Sequence, residues 1–117
     1  MEVTITDAQA NPNVKVVHLA GRLDTATGAA AGQKILAALS QCGAGLILDF
    51  AGMDFMSSAG ISVLLQLRQH AQAANKQIAI IRSAPAIYKI FKITTLDTMF
   101  RFFEDETEAL QALWPAV

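Results

Sequence analysis

Cysteine is nearly absent from this chain of 117 residues: Cys42 stands alone. An intramolecular disulfide is therefore excluded, and so is a cysteine cluster for a metal. Cys42 sits just before Gly43 with no histidine close by in sequence, so it reads as a small buried or loop residue and not as a nucleophile. The positive charge that nucleic acid demands is missing too. Nine Lys and Arg against ten Asp and Glu leave a formal net charge of −1, and the basic residues are scattered. Only Lys89 and Lys92 form a close pair, on a predicted helix, which fits a solvated helix face. No apolar run approaches the length of a bilayer span; Ile78-Ala79-Ile80-Ile81 is far too short. The opening residues, Met1-Glu2-Val3-Thr4, carry neither the basic region nor the apolar stretch of a signal peptide. Linker-like segments, internal repeats and low-complexity tracts are lacking as well. The expectation is one domain over 1–117, soluble and cytoplasmic, with no nucleic-acid partner and no membrane insertion.

What the chain does have is core-forming material. Hydrophobic residues make up 53% and charged residues 16%, enough for a packed interior. Val3-Thr4-Ile5-Thr6 alternates with period two and predicts a first strand. Asn11-Pro12-Asn13 predicts a turn, Val14–Ala20 the second strand of a hairpin, and Gly21 its end. Asp24-Thr25-Ala26-Thr27 supplies candidate N-caps for a helix to about Ser40, with Ile35, Leu36 and Leu39 on its apolar face. Leu46–Phe50 is a short apolar run that suits a strand buried on both faces. After a loop, Ser58–Asn75 predicts the clearest amphipathic helix. Its apolar positions are Leu64, Leu67, Ala71 and Ala74, and its polar stripe is Ser62, Gln66, Gln69 and Lys76. A strand over Gln77–Arg82, a helix opened by Pro85 and running to Ile93, a strand over Arg101–Phe103 and a helix over Glu104–Leu113 complete the order. Strands alternating with helices imply an α/β fold. Its sheet should be mixed but mostly parallel, with four or five strands, an N-terminal hairpin and about four helices.

The stretch Leu48-Asp49-Phe50-Ala51-Gly52-Met53-Asp54-Phe55-Met56-Ser57-Ser58-Ala59-Gly60-Ile61 resembles the signature of the STAS domain, the family named for sulfate transporters and anti-sigma factor antagonists. There a strand ends in an acidic residue and a Ser-rich turn, Gly and a hydrophobic helix follow. Gly21-Arg22-Leu23-Asp24, Ser83-Ala84-Pro85 with the following helix, and Phe102-Phe103-Glu104 with Glu108-Ala109-Leu110 are similar to further parts of that pattern. The resemblance implies an anti-sigma factor antagonist, a binding protein with no enzymatic activity and no cofactor. Its partner would be an anti-sigma factor of histidine-kinase-like ATPase fold, which phosphorylates a Ser in the turn and is thereby released. A Ser/Thr phosphatase would reset the system.

The antagonist motif reads Asp-Ser-Ser-Gly with the second Ser modified. Here Ser57 falls on the Asp, Ser58 on the first Ser and Ala59 on the phosphoacceptor, and Ala takes no phosphate. Ser58 is then the first candidate acceptor and Ser57 the second. The alternative is an adaptor of the same fold that works without phosphorylation, for example in a transporter or signalling complex. The expected contact surface comprises Asp24, Asp54, Met56, Ser57, Ser58, Ala59, Gly60 and Ser62. A Ser at a helix start is expected to cap the first free amides and to stay exposed. A phosphate there would add about −1.5 to −2 charges at a place the helix tolerates. Asp49 is expected to satisfy amides near the turn. Catalysis finds little support: Met56 occupies the Gly position of a nucleophile elbow, and His18 and His70 are placed neither as a base for Ser58 nor as metal ligands.

Overall fold

The computed structural model describes residues 1–115, so Ala116 and Val117 of the expected 1–117 unit lie outside the described residues. Nine regular elements follow in the expected order: β1 (Glu2–Ala8), β2 (Asn11–Leu23), α1 (Gly28–Gln41), β3 (Gly45–Met56), α2 (Ser58–Ala73), β4 (Gln77–Ile81), α3 (Pro85–Ile93), β5 (Arg101–Phe103) and α4 (Glu106–Leu113). A 3-10 turn at Leu96–Thr98 joins α3 to β5. The strands form one sheet in the order β1-β2-β3-β4-β5. β1 runs antiparallel to β2, and every other neighbouring pair is parallel. This is the mixed, mostly parallel sheet with an N-terminal hairpin.

Side-chain alternation divides the core between the two faces of the sheet. Val17, Leu19, Leu46, Leu48, Phe50 and Ile80 point to one face. There they pack with Ile35 and Ala38 of α1, Leu64 and Leu67 of α2, and Ile87 and Phe91 of α3. Val14, Val16, Ile47, Ala79 and Ile81 point to the other face, under Ala109, Leu110 and Leu113 of α4. The β3 run Gly45–Phe50 is buried throughout, because strands flank it on both sides and helices cover both faces.

β4 ends at Ile81 and α4 starts at Glu106, each within two residues of expectation, and four other boundaries also depart. The hairpin turns at Gln9–Ala10, and Asn11-Pro12-Asn13 already belongs to β2. Pro12 is tolerated because it lies at the strand's exposed start, next to the register shift at Asp7/Ala8. Gly21 does not end β2. Its φ of 104° lets the strand bend and continue to Leu23. β3 likewise continues to Met56 where a loop was expected, and past Asp49 it pairs with β2 alone. α2 stops at Ala73, leaving Ala74 exposed as its cap, and Lys76 lies beyond the helix with its Nζ donating to the Leu39 carbonyl at 2.7 Å.

Candidate functional site: the corner at the start of α2

The far ends of β2 and β3 lie side by side, with Leu23 opposite Met56. The chain turns there into α2, and the Ser57 amide donates to the Leu23 carbonyl at 3.0 Å. Ser57 holds the N-cap position with extended backbone, yet its hydroxyl makes no capping bond. Its Oγ is buried without a hydrogen-bond partner. Ser58 is the first helical residue and is exposed, so it is not the cap it was expected to be. No acid stands in the first turn of α2. Among the described residues, no side chain of the cap or first turn of α2 neutralises the amides at this end, and the helix dipole is left open beside the Ser58 hydroxyl.

Gly60 explains how α2 comes so close to β2. A Cβ at this position would lie 2.7 Å from the Leu23 carbonyl oxygen and 2.8 Å from Met56 Cγ. Only glycine allows that approach. Met56 (2% exposed) and Gly60 are both buried, which corrects their expected place on a contact surface: they hold the corner together from inside. Exposed are Asp54, Ser58 and Ser62, while Asp24 and Ala59 are half-buried.

Asp24 follows the carbonyl that receives the Ser57 amide, so the fold does bring its backbone beside the turn. Its carboxylate is turned to its own loop. It accepts from the amides of Ala26 at 3.0 Å and Thr27 at 3.2 Å, and lies 3.5 Å from Arg22 Nε. The Thr27 hydroxyl ties the loop further, accepting from the Asp24 amide at 3.0 Å and donating to the Arg22 carbonyl at 2.8 Å. Partial desolvation acts to raise the Asp24 pKa. The Thr27 and Ala26 amides, with the Thr27 hydroxyl and Arg22, outweigh it and hold the carboxyl below its ordinary value.

One part of the corner was not foreseen. Arg22 stacks over the Phe55 ring at 4.3 Å from its centroid, and Phe55 remains 38% exposed. The two are register partners on β2 and β3. Their pairing is invisible until the second half of β3 is known to be strand.

Asp49, the one buried charged residue among those described, is 6% exposed and sits elsewhere on the sheet. It accepts from the Ala51 amide at 3.0 Å, which agrees in kind with the expected amide contact. Its other oxygen meets His18 Nδ1 at 2.9 Å and Arg82 Nη1 at 3.3 Å. His18 Nε2 lies 3.1 Å from the Thr6 hydroxyl, so a polar chain crosses from β1 to the end of β4. His70 is bonded to the Gln66 carbonyl of its own helix at 2.8 Å. Among the described residues, no group of three or more His, Cys, Asp and Glu is placed to hold a metal ion, and no helix is long and apolar enough to cross a membrane.

With the corner and the sheet described, comparison with known proteins places the chain. It belongs to the STAS domain family, whose model matches residues 6–109. A STAS-domain containing protein of Pseudomonas aeruginosa (strain UCBPP-PA14) is 29% identical over 55 residues, which cover 47% of this chain and 54% of that protein. The match thus spans about half of that relative's length. An anti-sigma factor antagonist from Mycobacterium paratuberculosis superposes with a TM-score of 0.82 at 23% identity, over 96% of this chain and 92% of the other. The anti-sigma factor antagonist SpoIIAA in its unphosphorylated form gives 0.79 at 21% identity, over 99% of each. These two likenesses are likenesses of fold.

Proposed function

We propose that this chain is an anti-sigma factor antagonist, a binding module that frees a sigma factor by occupying its anti-sigma factor. The proposed partner has a histidine-kinase-like ATPase fold and docks on the corner around Ser58, Ser62, Asp54 and Asp24. Phosphorylation of Ser58 by that partner ends the complex, and a Ser/Thr phosphatase restores it. The carrying observation is the environment of Ser58: exposed, at the positive end of a helix that no acidic or capping side chain neutralises. A phosphate gains from that field while the fold keeps its packing. A partner surface shaped to a neutral hydroxyl loses the contact. A repulsion of about 1.4 kcal/mol weakens binding tenfold, so a modest clash is a sufficient switch. The neighbouring hydroxyl of Ser57 is buried, which makes it the poorer acceptor. Phe55, exposed beneath Arg22 on the last residues of β3, would offer the partner an apolar contact.

The test is to incubate the purified protein with ATP and its cognate kinase-like partner and weigh the product. A gain of one phosphate mapping to Ser58, with loss of the complex, is the expected outcome. Ala59, at the position of the family's phosphoacceptor, favours a second reading: an adaptor that binds without modification. Retained binding with no added mass would establish that reading over the first.

A further inference from the structure

The two edges of the sheet are unequal. β5 is three residues long, while β1 runs for seven and, among the described residues, has no strand on its outer side. An open edge presents a row of unpaired amides and carbonyls, and proteins usually blunt it with Lys, Pro or a bulge. β1 contains no Lys and no Pro, and its register shift falls only at Asp7/Ala8. On the helix-covered face of this edge, Ile5 is 40% exposed while Val3 packs against the core. Beside Val3 a groove of about 210 Å³ opens between β1 and α1, lined by Met1, Val3, Ala26, Ala30 and Lys34 among others.

We propose that β1 pairs antiparallel with β1 of a second copy about a two-fold axis at Thr4, joining the two sheets into one. Register follows from geometry. In an antiparallel pair, residues whose backbone groups point outward face residues that do the same, so like parity meets like parity. Centring on Thr4 sets Ile5 opposite Val3 of the second copy and Glu2 opposite Thr6. The exposed Ile5 side chain then enters the groove beside Val3. Asp7, ion-paired to Lys15 through one oxygen, reaches the Met1 end of that groove, where Lys34 stands. Centring one residue later sets Asp7 against Val3, a carboxylate over an apolar side chain. Apolar insertion and opposite charge coincide in the Thr4 register, and the two-fold repeats both. The two copies' Ser58 corners fall at opposite ends of the pair, because β1 opposes β2 in direction and each β1 opposes the other.

Sedimentation over a concentration series tests this. A species of twice the chain's mass that dissociates on dilution is expected. Ile5→Lys should raise the concentration needed for pairing roughly tenfold or more, through loss of one buried apolar side chain. Cys42 is buried and is the only cysteine, so variants with one added cysteine report the register. Thr4→Cys should oxidise to a linked dimer, and Ile5→Cys, which faces Val3 across the axis, should link far less. A monomer at every concentration overturns the proposal. So does a dimer that withstands Ile5→Lys, or one that links through position 5 in preference to position 4.

Discussion

The loops that lead into α1 and α2 both leave the same end of the sheet, and they are closed in opposite ways. Before α1, Asp24 and Thr27 satisfy one another's backbone, and the carboxylate accepts from the loop amides of Ala26 and Thr27 just ahead of the helix. Before α2, two serines stand where capping bonds could form and form none. A negative charge is thus already installed at one entrance and withheld at the other. The difference bears on the proposed switch: charge added at Ser58 would meet no acid in the first turn of α2, whereas ahead of α1 it would meet Asp24.

The largest expected effect breaks the α2 entrance outright. Gly60→Ala forces a Cβ against the Leu23 carbonyl and Met56, and should destabilise by about 2 kcal/mol in denaturant unfolding, since the helical gain of Ala over Gly is smaller than the overpacking cost. Next comes Ser58→Asp, which should weaken the proposed anti-sigma complex about tenfold in calorimetry while the melting temperature stays nearly unchanged. Unaltered affinity would count against the electrostatic switch. Ser57→Ala removes a buried hydroxyl that has no partner, so it should be neutral or stabilising by up to about 1 kcal/mol. Marked destabilisation would mean that the hydroxyl is satisfied in solution. Asp24→Asn has the smallest effect at neutral pH, because Asn still accepts the two amides. Its signature is in acid. A carboxyl held below its ordinary value of 3.8 gives stability that is complete above about pH 5 and is lost as pH falls through the folded pKa. The variant's melting temperature should therefore decline less steeply than the parent's below that pH.

Much of the fold was legible because periodicity and length are local. The buried run Leu46–Phe50, the amphipathic α2 and Pro85 at the start of α3 all stand where the sequence pattern puts them. What escaped was set by partners far along the chain. Asp49 is bonded to His18 and Arg82, 31 and 33 residues away, and only strand register brings them together. Residues 51–56 looked like a loop because their exposure repeats in threes, as Met53 and Met56 are buried between exposed pairs. Register shifts in the pairing with β2 produce that pattern. At the corner, residue types announced a Ser turn but not which hydroxyl faces out. That depends on the approach of Leu23, and on Gly60 permitting it.

β3 has a further consequence. Beyond Asp49 it leaves β4 behind and runs on beside β2 only, so the platform that carries the serines is a two-stranded ribbon attached to a broader sheet. Ribbons of two strands twist more and open more readily than strands held on both flanks. The end proposed to receive another protein is thus held by fewer neighbouring strands than the interior behind it.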